Sequence, residues 1–215
     1  MKISLVALSA VAALACLPAA ADSLVAGSAE AGKAKSITCA ACHGAAGNSA
    51  NPMWPNLAGQ NANYIVTQLK AFKPGTDPTL QPALRSDPLV TSMAMPLSEQ
   101  DMRDLAVYFE SLPAAVNSVA DEKTLARAEA LYRGGNEAAG VPACLACHGP
   151  TGRGNPAATY PMLSGQHAAY TAKALRDYAA ESRTSDGKTM VMRDIASRLS
   201  KDDIAAIASY VQGLK

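Results

Sequence analysis

The sequence predicts an all-α protein in which one small domain occurs twice. The motif CAACHG at 39–44 returns as CLACHG at 144–149, and similarity continues beyond both motifs, as an internal repeat requires. Apolar residues recur at helical spacing in each copy. No stretch of useful length alternates between apolar and polar residues in the way that a half-buried strand would.

The repeat divides the chain into two domains. WPNLAGQNANYIVTQLKAF after the first motif matches YPMLSGQHAAYTAKALRDY after the second, and LSEQDMRDLAVYFESL matches LSKDDIAAIASYVQGL further on. The segment between the copies starts after Pro113 and is low in bulky apolar residues, which is typical of a linker. We therefore expect a first domain at 22–113, a linker at 114–123 and a second domain at 124–215.

Each domain is predicted to contain three main helices. One helix leads into the Cys-x-x-Cys-His motif, a second follows a glycine-containing loop, and the last begins with a serine whose third following residue is aspartate, a capping box. Such a small domain needs a further stabilising element, and a covalent cofactor would supply one. The helices are expected at 31–38, 64–72 and after Ser98 in the first domain, and at 124–132, 170–178 and after Ser200 in the second.

Residues 1–21 have the pattern of an export signal. Lys2 precedes an apolar run at 3–16, and small residues lead to a cleavage site near Ala21. A transmembrane anchor is the first alternative, but the run is too short to cross a bilayer comfortably. A lipoprotein anchor on Cys16 is the second, and Leu14 is one residue too close for the usual order. The sequence therefore predicts export with cleavage.

The composition bears on cofactors and partners. The chain has 19 basic and 18 acidic residues and a net charge of +1, so there is no electrostatic case for a nucleic-acid partner. Aromatic residues make up only 5% of the chain, with one Trp and two Phe. A bound cofactor is one candidate for filling the part of the interior that aromatic side chains would otherwise occupy.

The cysteines indicate what that cofactor is. Outside the signal the chain has two Cys-x-x-Cys pairs, and a histidine follows each. Two disulfides, a redox dithiol or half of a zinc site would account for a pair, but none needs the histidine. In Cys-x-x-Cys-His, two thiols form thioethers with haem and the histidine binds its iron. The motifs predict two covalent haem c groups on Cys39, Cys42, Cys144 and Cys147, with His43 and His148 as iron ligands.

Methionines are the candidates for the sixth iron ligand, because a thioether favours Fe(II) and raises the potential. The remaining histidine, His167, is expected at the surface. Two methionines precede the last helix in each domain, where a loop would bring sulfur across the haem face. They are Met93 and Met95 in the first domain and Met190 and Met192 in the second.

Taken together, these motifs resemble the dihaem cytochrome c4 family. The resemblance rests on CAACHG, CLACHG, NLAGQ, LSGQH, LYRGG, MRDIASRLS and YVQGL, and covers nearly all of the chain after the signal. It implies two class I cytochrome c domains packed face to face, each with a His/Met haem. It also implies a periplasmic electron carrier that can sit on the membrane surface and delivers electrons to a terminal oxidase of the respiratory chain, with no small-molecule substrate.

The family pattern also implies particular residue roles. The methionine directly before R-x-I-A is the ligand in the second domain, which is Met192. The carbonyls of Pro55 and Pro161 are expected to hold the ligand histidines. In the first domain Val90 stands where the family places the methionine. Met93 is therefore the expected ligand there, through a differently shaped loop.

Met95 is the less favoured ligand because Pro96 follows it and the helix cap is near. Should neither methionine bind, the first haem would have an open face. The alternative function is then a dihaem enzyme, either peroxidase-like or thiosulfate-oxidising. The leading expectation is an electron carrier rather than an enzyme, since two filled coordination spheres pass single electrons and bind no substrate.

Overall fold

The computed structural model describes residues 23–73 and 84–215. Within these ranges the regular structure is helical, and the β-pairing consists of two isolated bridges. The prediction of an all-α fold is therefore confirmed. The export signal at 1–21 lies outside the described residues. In the part of the chain that is described, no helix has the length and apolar character to cross a membrane.

In the described part of the first domain, 23–73 and 84–113, there are five helices. The single helix expected at 31–38 is in fact two, because Ser36 ends one helix and immediately precedes the next. Its hydroxyl donates to the Lys33 carbonyl at 2.8 Å, which satisfies an acceptor of the last helical turn. The helices are α1 (Ala29–Lys35), α2 (Ile37–His43), α3 (Ala62–Phe72), α4 (Pro88–Ala94) and α5 (Glu99–Ser111).

The second domain repeats this order. Short 3₁₀ turns at 122–124, 137–139 and 187–189 separate some of its elements. Both predicted capping boxes are present, Ser98 with Asp101 before α5 and Ser200 with Asp203 before the last helix. The helices are α6 (Leu125–Gly134), α7 (Leu145–His148), α8 (Ala168–Ala179), α9 (Val191–Ser197) and α10 (Lys201–Gly213).

Each domain buries its own apolar core around its last helix. In the first domain α5 packs on α1 and α3, and in the second α10 packs on α6 and α8. The α1–α5 crossing is close: a Cβ atom on Gly32 would lie 2.0 Å from the Asp104 carbonyl oxygen. The core residues are Ala62, Ile65, Leu105, Ala106, Tyr108 and Phe109 in the first domain, and residues such as Leu131, Tyr132, Ile204, Ile207 and Val211 in the second.

The segments before the last helices are helical, which corrects the expectation of methionine-bearing loops. In the first domain Asp87 caps α4 by accepting from the amides of Leu89 and Val90 at 3.1 Å, and Pro88 occupies the first turn. Ala94 on α4 and Ala196 on α9 are both fully buried. Each lies four residues before its capping serine, so the two helices are in the same register. The expectation of a differently shaped loop in the first domain is therefore wrong.

Candidate haem-binding sites

The four motif cysteines lie at equivalent places in the two domains. Cys39 and Cys42 are on α2, Cys144 caps α7, and Cys147 is on α7. All four are free and half-buried, which fits thioether attachment and does not fit two disulfides. Burial raises the pKa of Cys39, and raises that of Cys144 to about 11.

Each motif histidine is held by a proline carbonyl, as the resemblance implied. Nδ1 of His43 is 2.8 Å from the Pro55 carbonyl oxygen, and Nδ1 of His148 is 3.0 Å from that of Pro161. A carbonyl oxygen can only accept, so Nδ1 carries the proton in both rings. Burial lowers the pKa of both histidines. A neutral ring fixed in this tautomer has Nε2 available for a metal ion.

The two methionines of the second domain have different surroundings. Met192 is half-buried on α9 and packs against the second core. Met190 caps the same helix in the left-handed conformation, is 42% exposed, and lines an open groove beside Arg193. Of the two, Met192 is the one that is directed towards the domain interior.

The first domain places no methionine at the position equivalent to Met192. Because α4 and α9 share a register, Val90 is equivalent to Met192, and Met93 is equivalent to Ile195. Met93 and Met95 are 49% and 48% exposed. Residues three apart share a helix face, so Met93 lies one turn from Val90 on that face. Met95, which caps the end of α4, does not lie on this face.

A buried basic centre lies between the two domains. Arg183 is only 4% exposed. It donates to the Tyr64 hydroxyl at 2.6 Å and to Oε1 of Gln68 at 2.9 Å. Arg85 donates to the same Gln68 oxygen at 3.1 Å and to the Tyr170 hydroxyl at 3.2 Å. Burial raises the pKa of Tyr64 to about 12, so that this phenol stays neutral.

This centre fits an anionic group of a cofactor. Among the described residues neither Arg85 nor Arg183 forms an ion pair with a carboxylate. A buried cation without an anion is costly. The propionates of haem are carboxylates, and guanidinium groups bind carboxylates well. The donor set of the site therefore fits haem.

Comparisons with known proteins agree with this chemistry. The cytochrome c family model matches residues 29–113 and 126–215. Cytochrome c4 of Azotobacter vinelandii is 50% identical over 190 residues, which are 88% of this chain and 90% of that protein. The crystal structure of reduced recombinant cytochrome c4 from Pseudomonas stutzeri has a TM-score of 0.82 and 46% identity, covering 88% of this chain and 100% of that chain. The chain belongs to the cytochrome c4 family.

This family assignment establishes the cofactor and the general function. The chain carries two covalently bound haem c groups, one in each domain, and is a dihaem electron carrier. A more distant relative, a thiosulfate dehydrogenase electron acceptor of Stutzerimonas stutzeri strain A1501, is 34% identical over 81% of this chain and 77% of that protein.

Sequence reasoning missed the residues that join the domains. His167, expected at the surface, is half-buried at the interface, where its Nε2 is 2.9 Å from the Ser49 carbonyl oxygen. The basic centre gave no periodic signal, because both arginines lie in irregular segments. A signal for the other interface residues did exist. Gly-Gln recurs at Gln60 and Gln166, and both side chains cross between the domains.

Proposed function

We propose that this protein is an exported, periplasmic electron carrier. One haem is attached at Cys39 and Cys42 and the other at Cys144 and Cys147. The observation that carries the proposal is the pairing, in both domains, of free motif cysteines with a histidine whose Nδ1 is held by a proline carbonyl. The export pattern before Asp22 supports the location.

His43 and His148 are proposed as one axial ligand of each haem, and methionines as the other. For the second haem the proposal is Met192, which packs towards the core. For the first it is Met93, which lies on the same face of α4 as Val90, one turn further on. The soft thioether stabilises Fe(II), so both haems would have raised potentials suited to late steps of a respiratory chain.

The residues of the chain hold the site rigid while the electron moves. When bound, haem supplies an iron that gains or loses one electron. The proline carbonyls fix the orientation of His43 and His148, and buried Arg183 together with half-buried Arg85 would neutralise carboxylates of the haem at the interface. A histidine and a methionine at each iron would leave no position for a substrate, so the protein is proposed to be a carrier rather than an enzyme. Its partners are redox proteins of the respiratory chain, with a membrane-bound terminal oxidase as acceptor and docking at the membrane surface.

A second candidate is a dihaem enzyme with an open first haem, either peroxidase-like or thiosulfate-oxidising. The observation that favours it is Val90, an aliphatic residue in the position that Met192 occupies in the second domain. Half-exposed Met93 would then be an ordinary surface residue. The two candidates differ in whether reduced protein binds carbon monoxide at the first haem.

Covalent attachment is tested with paired cysteine variants of the exported full-length protein. After acid–acetone extraction, the wild-type chain is expected to retain two haems. The double variant Cys144→Ala, Cys147→Ala is expected to retain one, with a protease-sensitive second domain, because so small a domain cannot readily lose its central apolar group.

The matched control is Cys39→Ala with Cys42→Ala, which is expected to lose the other haem and destabilise the first domain instead. Retention of two haems by either double variant would show that the attachment residues are wrong. Determination of the amino terminus of the purified protein checks export, with Asp22 as the expected first residue.

A further inference from the structure

Two buried glutamines, one from each domain, form equivalent pairs of hydrogen bonds across the domain interface. Gln166 of the second domain accepts from the Asn56 amide at 2.8 Å and donates to the Asn56 carbonyl at 3.0 Å. Gln60 of the first domain accepts from the Met162 amide at 2.8 Å and donates to the Met162 carbonyl at 2.9 Å. Both glutamines are buried. The two contacts are related by the internal repeat.

Asn56 and Met162, the residues to which these glutamines bind, directly follow the prolines whose carbonyls hold the motif histidines. The carbonyl of Pro55 and the amide N–H of Asn56 belong to a single peptide group. The carbonyl accepts from His43 at 2.8 Å, and the N–H donates to Gln166 at 2.8 Å. One peptide group therefore connects a glutamine of the second domain to the histidine of the first.

The same chain of hydrogen bonds runs in the opposite direction across the interface. The peptide group between Pro161 and Met162 accepts from His148 at 3.0 Å and donates to Gln60 at 2.8 Å. Each motif histidine is thus linked, through one peptide group, to a side chain of the other domain.

Hydrogen bonds in such a chain strengthen one another. An acceptor on the peptide N–H polarises the amide, and the carbonyl oxygen becomes a better acceptor. A stronger bond from Nδ1–H gives the imidazole more basic character at Nε2. A more basic ligand stabilises Fe(III) relative to Fe(II), which lowers the reduction potential.

We propose that Gln166 and Gln60 are positioning residues that tune the haems across the interface. Gln166 lowers the potential of the first-domain haem through His43, and Gln60 lowers that of the second-domain haem through His148. The proposal rests on the proposed ligation of iron by these two histidines. Each domain therefore contributes a glutamine that tunes the reduction potential of the haem in the other domain.

The test is a redox titration of the full-length holoprotein, followed by NMR, which resolves the shifted resonances of each haem. Gln166→Ala is expected to raise the one-electron reduction equilibrium constant of the first-domain haem by about threefold or more. The same equilibrium constant for the second-domain haem, which shares its domain with Gln166, should change by less than half as much. Gln60→Ala is expected to give the mirror result, with the larger change at the second-domain haem.

Two further variants separate this effect from a loosened interface. Asn63→Ala removes another contact between the domains, the hydrogen bond from Asn63 to the Pro156 carbonyl at 3.0 Å, which does not involve a histidine-holding peptide. It is expected to leave both potentials unchanged. Gln166→Glu keeps an oxygen that accepts from Asn56, so the first-domain potential should stay at or below that of the wild type.

Three results would overturn the proposal: equal shifts at both haems, a shift in Asn63→Ala as large as in Gln166→Ala, or no shift in either glutamine variant. The proposed ligation is checked separately in the wild type. If the ring protons of His43 or His148 lack the large paramagnetic shifts of an iron ligand, the ligation itself is wrong. If those shifts are present and the potentials do not move, the tuning proposal alone fails.

Discussion

At the scale of single residues, Met190 and Met192 show how burial distinguishes two candidates that sequence places side by side. Met192 lies on α9 and packs on the core, whereas Met190 lies at the helix start and lines an open groove. Met192→Ala is expected to lower the potential of the second haem on the order of 0.1 V and to remove that haem's sulfur–iron absorption band. Met190→Ala should do neither. The opposite pattern in the oxidised spectra would reverse the assignment.

In the first domain the comparison is between Met93 and Met95. Met93→Ala is expected to lower the potential of the first haem strongly, since Met93 shares a helix face with Val90. Met95→Ala should shift it only slightly. A spectroelectrochemical titration of both variants measures this. If the double variant keeps the wild-type spectrum, no methionine of α4 binds iron, and the second candidate function gains support.

Acidic residues at the start of α5 give the first domain a defined pH dependence. Hydrogen bonds from Ser98 and then Lys35 lower the pKa of Asp101 to about 2. Hydrogen bonds from the Ser28 amide and from Lys35 lower the pKa of the buried Asp104. Since these pKa values are lower in the folded state, the carboxylates stabilise the fold above about pH 4. That stability is lost as the pH falls towards 2.

Asp104→Asn is therefore expected to destabilise the first domain by about 2 kcal/mol at neutral pH. The variant should also have a weaker dependence of unfolding free energy on pH between about 4 and 2. Denaturant unfolding at several pH values checks both. Glu122→Gln, which removes an exposed carboxylate in the linker just before the second domain, is the control. Equal pH dependence in Asp104→Asn and the wild type would contradict the account.

At the scale of elements, the crossing of α1 and α5 depends on the absence of a side chain. Gly32 is buried where a Cβ atom would lie 2.0 Å from the Asp104 carbonyl oxygen and 2.7 Å from Cβ of Tyr108. Gly32→Ala should force the helices apart and destabilise the first domain by about 1–3 kcal/mol, despite the better helix propensity of alanine. Gly134, near the end of α6, has no such neighbours.

Gly134→Ala is accordingly the matched control, and it is expected to be neutral or slightly stabilising. Thermal unfolding of both variants makes the comparison. A Gly32→Ala protein as stable as the wild type would mean that α1 and α5 cross less closely than described.

Sequence periodicity was sufficient for the long helices. Apolar spacing and capping boxes anticipated α5 and α10 closely, because serine and aspartate three residues apart satisfy the same amides that start the helix. The repeat likewise identified α3 and α8. The motif cysteines and histidines were predicted without any structure, since their spacing reflects covalent chemistry rather than folding.

Short helices and interface contacts were beyond such reasoning. α4 has seven residues, too few for periodicity to separate a helix from a loop, although Asp87 and Pro88 together form a helix-start signal. No sequence pattern singles out Arg183. Its burial depends on Tyr64 and Gln68, which lie more than a hundred residues away in the chain, and a single sequence does not reveal such contacts.

At the scale of the whole molecule, the basic centre joins the domains through hydrogen bonds from Arg183 to Tyr64 and Gln68 and from Arg85 to Tyr170. If Arg183 binds haem carboxylates, as proposed, its buried positive charge would stabilise Fe(II). Arg183→Met is therefore expected to lower both potentials and to reduce stability by about 1–3 kcal/mol, because the hydroxyl of Tyr64 loses its donor. Arg183→Lys retains the charge and should recover most of the potential. A titration in which the Met and Lys variants behave alike would exclude an electrostatic role.

Both haems are proposed to have a histidine and a methionine ligand and to carry single electrons. The most direct test is a spectroelectrochemical titration of the wild-type protein that follows the sulfur–iron band of the oxidised state. We expect two one-electron steps, with part of the band lost in each, and no carbon monoxide binding after reduction. Loss of the band in one step only, with carbon monoxide binding at the other haem, would contradict the claim.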